Sequence, residues 1–184
     1  MMTYFNNLFN KSLEKKGRID MAGGITTQTL YLEKVNHPDH LTKIKNANEN
    51  EAVFSKNSWK KLMDEACIIS GSTYEGRRKA IQKTFQYIQR TVIPVFPEHG
   101  VVAVPTHSPD NDENIWLFFH HVLNIIEIDK NSVEVIFSNG EKKRINVSYE
   151  SLDKQLMRAA RVANRFTPFS PPQPPYGGDF SFSV

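Results

Sequence analysis

Four cations, Lys154, Arg158, Arg161 and Arg165, recur at intervals of four, three and four residues. At about 100° per residue of α-helix they fall on one line, while Leu152, Leu156, Ala159, Ala163 and Phe166 gather on the opposite side. Such a helix docks its apolar stripe on a core and turns its cations toward solvent or toward a polyanion. Ser148 is placed to cap it, with Glu150 and Asp153 near the positive N-terminus and Arg161 and Arg165 near the negative end, so local electrostatics favour a helix over 148–166. A merely solvated face has the same pattern, and the remaining cations decide between the two.

Arg77, Arg78, Lys79 and Lys83 form a second cluster, and Lys142, Lys143 and Arg144 a third. The 184-residue chain has a net charge of only +3, yet residues 67–93 and residues 137–167 each carry +4, with −6 on residues 94–136 between them. A fold that joins the two basic blocks makes an electropositive surface on a nearly neutral protein. The eleven cations are therefore the candidate nucleic-acid contacts, interleaved with Tyr74, Phe85 and Tyr149. Guanidinium groups suit phosphates because they offer fixed donors and hold their hydration weakly.

Other chemistries fit less well. Gly71 to Arg78 has the glycine spacing of a phosphate-binding loop, but Arg77 and Arg78 stand where the phosphate lysine and the magnesium-binding hydroxyl belong, which argues against nucleotide hydrolysis. His107, His120 and His121 lie near Asp110, Asp112 and Glu113, and a metal-dependent enzyme using the His107 to His121 region is an alternative. Adjacent histidines on a strand point to opposite faces, however, so at most one of His120 and His121 is expected in any cluster. The single cysteine, Cys67, sits in an apolar run and reads as a small buried hydrophobe. No nucleophile elbow or paired acid and base stands out, and no catalytic residue, metal or cofactor is assigned. No apolar run approaches the roughly 20 residues of a membrane span, so a soluble, cytoplasmic protein is expected.

The elements that must carry these residues belong to one α+β domain over residues 21–166, with a mainly antiparallel sheet and a few helices. Strands are expected at Thr29 to Leu32 and Ala52 to Phe54, separated by an exposed connection over Lys43 to Glu51. Ser58 caps a helix reaching Ala66. A turn-rich segment, Gly71 to Lys79, leads into a stretch with Ala80, Ile81, Thr84, Phe85 and Ile88 at helical spacing. Two short strands meet at Glu98 to Gly100, an acidic loop covers His107 to Asn114, and Ile115 to Ile128 is one long central strand or two in sequence. Val133, Val135 and Phe137, the turn Asn139-Gly140, then Ile145 and Val147 form a hairpin. Residues 1–20 read as a flexible arm and residues 167–184, rich in Pro, Gly and Ser, as a disordered tail.

The segments Gly71 to Ala80 (GSTYEGRRKA), Phe137 to Gly140 (FSNG) and Ser148 to Ser151 (SYES), with Trp116 and Pro105-Thr106 between them, resemble the competence transcription factor family ComK. The resemblance covers roughly Ile68 to Phe166. It implies a sequence-specific activator of DNA-uptake genes that binds AT-rich double-stranded DNA through the minor groove, as a homodimer or higher oligomer, and assists RNA polymerase at the nucleoid. Arg77, Arg78, Arg158 and Arg161 are then the leading contacts. The charged C-terminal segment that the adaptor MecA recognises for proteolysis by ClpC is replaced here by the proline-rich tail, which puts that control in doubt. A binder of nucleic acid without sequence preference, using Tyr74 and Phe85 as stacking platforms, is the other alternative.

Overall fold

A computed structural model describes residues 24–166; the expected N-terminal arm and C-terminal tail lie outside these residues. Within them the domain is α+β with antiparallel sheets. Strands β1 (Thr29–Lys34), β2 (Thr42–Asn46) and β3 (Val53–Ser55) are followed by helices α1 (Trp59–Ile69) and α2 (Tyr74–Phe85). Then come β4 (Ile93–Phe96), β5 (Val101–Pro105), β6 (Ile115–Phe118), β7 (Val122–Asp129), β8 (Ser132–Phe137), β9 (Lys142–Ile145) and α3 (Tyr149–Phe166). One sheet has the order β3-β2-β1-β6-β5-β4 and a second the order β7-β8-β9.

The six-stranded sheet is covered on both faces, which is why its middle strands read as continuous apolar runs. On β5, Val102 and Val104 pack with the second sheet and α3, while Val101 and Ala103 pack with α1. On β6, Leu117 joins the first of these layers and Trp116 and Phe118 the other. Side chains alternate across a strand, so each strand feeds two cores.

Several expectations change here. Lys43 to Glu51 is not wholly a connection, because Thr42–Asn46 is β2, paired with both β1 and β3. Its polar sequence is accommodated because buried Lys45 donates to the Glu49 and Asn50 carbonyls and pairs with Glu141 at 3.2 Å. Ser58 does cap α1, accepting from the Lys61 N–H, but the helix runs on to Ile69. The turn before α2 is shorter than expected: Thr73 caps the helix by accepting from the Gly76 N–H, so Glu75 to Lys79 are already helical. At the other end α2 stops at Phe85, where Gln86 adopts left-handed φ 58°, and Ile88 leaves the apolar face for solvent. Ile115 to Ile128 proves to be two strands in different sheets, joined by a 3-10 turn at Phe119–His121, and β7 is an edge strand rather than a central one. The hairpin β8–β9 closes on Gly140, whose φ of 85° the turn requires.

Candidate nucleic-acid interface

Helix α3 begins at Ser148, whose Oγ accepts from the Ser151 N–H and whose carbonyl accepts from the Leu152 N–H. It buries Leu152, Gln155, Ala159 and Val162 against the core. Gln155 is the one polar member of that row, and its partners explain it. Its Nε2 donates to the carbonyls of Arg90 (2.8 Å) and Pro105 (3.2 Å), and its Oε1 accepts from Arg158 (2.9 Å). Ser151, Gln155 and Arg158 lie one and two turns apart on the same side of the helix. From there Ser151 accepts from Arg90 at 2.8 Å, and Arg158 donates to the Gln89 carbonyl at 3.2 Å with its guanidinium 4.7 Å from the Tyr87 ring centre. The three side chains fasten α3 to residues 87–90.

Those residues form the loop that leaves α2. The first basic block therefore reaches the third helix through its own C-terminal continuation. Lys79 and Lys83 on α2, and Lys154, Arg161 and Arg165 on α3, are exposed, and among the described residues none of the five makes an ion pair or side-chain hydrogen bond. Arg158 lies beside this set, partly covered by its contacts to the loop.

The remaining candidates are engaged elsewhere. Arg77 turns inward and donates to the Ser70 carbonyl at 2.6 Å, with its Nε buried and unpartnered. Arg78 is held by Glu75 at 2.8 Å and borders an open cleft of about 710 Å³, also walled by Trp59, Ile88, Arg90 and Asp110. Lys142 pairs with Glu134 at 3.2 Å, and Arg144 pairs with Asp129 at 3.0 Å while donating to Ser132. The Asp129 carboxyl lies below its ordinary pKa because Ser132 and the Asn131 N–H donate to it and Arg144 stands beside it. Lys143 lies on the opposite face of β9, 2.8 Å from Glu33 and over the Tyr31 ring at 4.5 Å. Burial alone would raise the Glu33 pKa, but Lys143 and Lys43 outweigh it and the net direction is down.

The expected stacking platforms fare differently. Tyr74 is 3% exposed, packed against Trp59 and Trp116, and burial pushes its phenol up to about 12, so it offers no face to a base. Phe85 is half-buried, stacked on Tyr87. Tyr149 remains exposed at the start of α3. Burial likewise pushes the Cys67 thiol up to about 12, the behaviour of an inert core residue.

The histidine expectation is overturned. His120 and His121 occupy a 3-10 turn rather than a strand, so their rings meet at 4.1 Å and both Nε2 atoms lie 2.9 Å from the Thr27 carbonyl. Burial holds the His120 pKa down at about 4, leaving a neutral ring that donates. His107 contacts Thr106, and Asp112 is taken by Lys34 at 3.2 Å. Among the described residues no three His, Cys, Asp or Glu side chains are grouped to hold a metal ion, and no helix is long and apolar enough to cross a membrane.

Sequence reasoning does not reach Arg90, Gln155 and the loop carbonyls as parts of the site. A signal for Gln155 exists: it interrupts an otherwise apolar helix face, and a polar side chain buried there needs partners. Arg90 gives no sequence signal, since its left-handed φ of 48° is set by tertiary contacts.

The stretch that builds this two-sided antiparallel sheet, with its cationic helix clamped across the end of β5, is also the stretch a known family shares. The profile described as ComK protein matches residues 24–168. The chain belongs to the ComK family. A relative from Bacillus subtilis (strain 168), named competence transcription factor, is 28% identical over 105 residues, covering 57% of this chain and 55% of the relative. The chain thus aligns with little more than half of that relative's length. No solved structure matches.

Proposed function

We propose that this protein is a non-enzymatic DNA-binding transcription factor that activates competence genes. The observation that carries the reading is the set of five cations on α2 and α3 that are unpaired among the described residues, linked through the loop that both helices hold, in a chain of the ComK family. The duplex lies across this surface, with Lys79, Lys83, Lys154, Arg161 and Arg165 on phosphates and Arg158 beside the loop. Lys142, Lys143, Arg144, Arg77 and Arg78 hold the fold, and reach DNA only by giving up a protein partner. AT-rich sites suit such a surface because a narrow minor groove concentrates negative potential and attracts arginine. RNA polymerase is the partner at the promoter, and the protein works in the cytoplasm at the nucleoid.

Two copies bind together. Edge strand β7 exposes Leu123, Ile126 and Ile128 beside Glu127 and Asp129. Its carboxylates repel a duplex, while its open backbone edge accepts the matching strand of a second copy. Electrophoretic mobility shift with AT-rich and GC-rich duplexes at fixed salt tests the DNA reading. Preferential binding of the AT-rich duplex supports it, equal displacement by any sequence would leave a non-specific nucleic-acid binder, and no binding would refute it.

A further inference from the structure

The loop between α2 and β4 presents an isoleucine in a setting that hydrophobicity alone does not explain. Ile88 is 67% exposed, and its backbone is fixed with unusual completeness. The four successive carbonyls of residues 87–90 each accept from a side chain: Tyr87 from Thr91 (2.7 Å), Ile88 from Gln82 (3.2 Å), Gln89 from Arg158 and Arg90 from Gln155. Gln86 and Arg90 bracket the segment in left-handed conformations, which for residues with side chains cost energy. A loop that served only to connect α2 with β4 would need neither the strain nor four side-chain anchors.

The consequence for the exposed surface is specific. With all four carbonyls engaged by side-chain donors, the loop shows a duplex no row of free acceptors. It shows instead Ile88 flanked by exposed Gln86 and Gln89, beside the guanidinium of Arg158. Glutamine amides can donate to the acceptors on the floor of a minor groove, and an apolar side chain held rigidly among cations is the device by which proteins unstack a base step and kink DNA. Pre-fixing the backbone matters because a wedge on a mobile loop would fold back rather than separate stacked bases.

We infer that Ile88 is a wedge that enters a base step of the bound duplex from the minor-groove side and bends it. This deepens the proposed function and rests on it. The test uses the full chain and AT-rich duplexes carrying 2-aminopurine at successive positions, with end-labelled duplexes for bend angle by energy transfer. The wild type should raise 2-aminopurine fluorescence at one step and shorten the end-to-end distance. Ile88→Ala should abolish both signals and weaken binding about tenfold, with the salt dependence unchanged because no phosphate contact is lost. Ile88→Met should restore them, while Phe54→Ala, at another open apolar position, on β3, should change nothing. If the wild type binds but Ile88→Ala gives the same fluorescence and bend, the wedge is refuted while DNA binding stands, and Ile88 would be a contact for a protein partner. If the wild type binds no duplex, both readings fall.

Discussion

The division of cations into free and paired groups makes a quantitative prediction about salt. Five side chains, Lys79, Lys83, Lys154, Arg161 and Arg165, are exposed and unpaired among the described residues, whereas Arg158 is engaged by the loop. Each neutralised phosphate releases condensed counterions, so the slope of log affinity against log salt should be about −4.5, and raising salt from about 50 to 200 mM should weaken binding roughly 500-fold. Replacing Arg161 and Arg165 together with alanine should flatten the slope to about −2.7, so that the same salt change costs only about 40-fold. Neither residue has a protein partner among the described residues, and helix propensity favours alanine, so the variant should fold as well as the wild type. The double replacement of Lys142 and Arg144 with alanine removes the same charge from residues paired with Glu134 and Asp129, and should leave the slope unchanged. Fluorescence anisotropy on one AT-rich duplex over a salt series measures both. Equal flattening in the two variants, or none in the first, would refute the assignment of the face.

Three further outcomes follow from particular contacts. Gln155→Leu keeps the volume of a side chain that is 1% exposed but leaves the Arg90 and Pro105 carbonyls without their donor, and should lower stability in urea denaturation by about 2–4 kcal/mol. His120 has a folded-state pKa of about 4 against an ordinary 6.5, so the unfolded chain binds the extra proton: its contribution is fully present above pH 6.5 and is lost as pH falls toward 4. The loss should total about 3 kcal/mol by calorimetry, and His120→Gln should flatten that pH dependence. Lys143→Met strands the partly buried Glu33 carboxylate with Lys43 as its remaining partner, which should cost about 2 kcal/mol at pH 7, a cost that shrinks as pH falls and the carboxylate takes up a proton, in paired urea titrations.

What the sequence made legible follows the strength of local rules. The hairpin β8–β9, the Ser58 cap and the amphipathic α3 were readable because alternation, turn chemistry and helical spacing act over a few residues. Strand β2 was not, because Thr-Lys-Ile-Lys-Asn holds its place through contacts that only the fold supplies: pairing with β1 and β3 on its two sides, and carbonyl partners for Lys45. The end of α2 was misplaced for a similar reason. Ile88 continues the apolar spacing of Ile81 and Phe85, but Gln82, Thr91, Gln155 and Arg158 hold the backbone in another path. Local pattern predicts a helix there; four side-chain hydrogen bonds, two of them from α3, decide otherwise.

The candidate site was only partly legible, and the part local pattern leaves out concerns which charges cancel. Segment charge placed −6 on residues 94–136 and +4 on residues 137–167 as though they were separate surfaces. Antiparallel pairing of β8 with β9 sets Arg144 opposite Glu134 and brings Lys142 within 3.2 Å of that same carboxylate, while Arg144 reaches on to Asp129 at the far turn. Some of the acidic block is therefore neutralised by the first third of the basic one, across a single hairpin. Cross-strand neighbours of opposite sign attract, so a hairpin whose two strands carry opposite charges consumes its own segregation. Among the described residues, helices α2 and α3 have no acidic strand opposite their unpaired cations, and there the excess survives folding. A basic run thus signals a polyanion partner in proportion to the carboxylates its own secondary-structure neighbours lack, and by that measure α3 and the exposed side of α2, not the hairpin, keep the positive excess on which the proposed DNA contact rests.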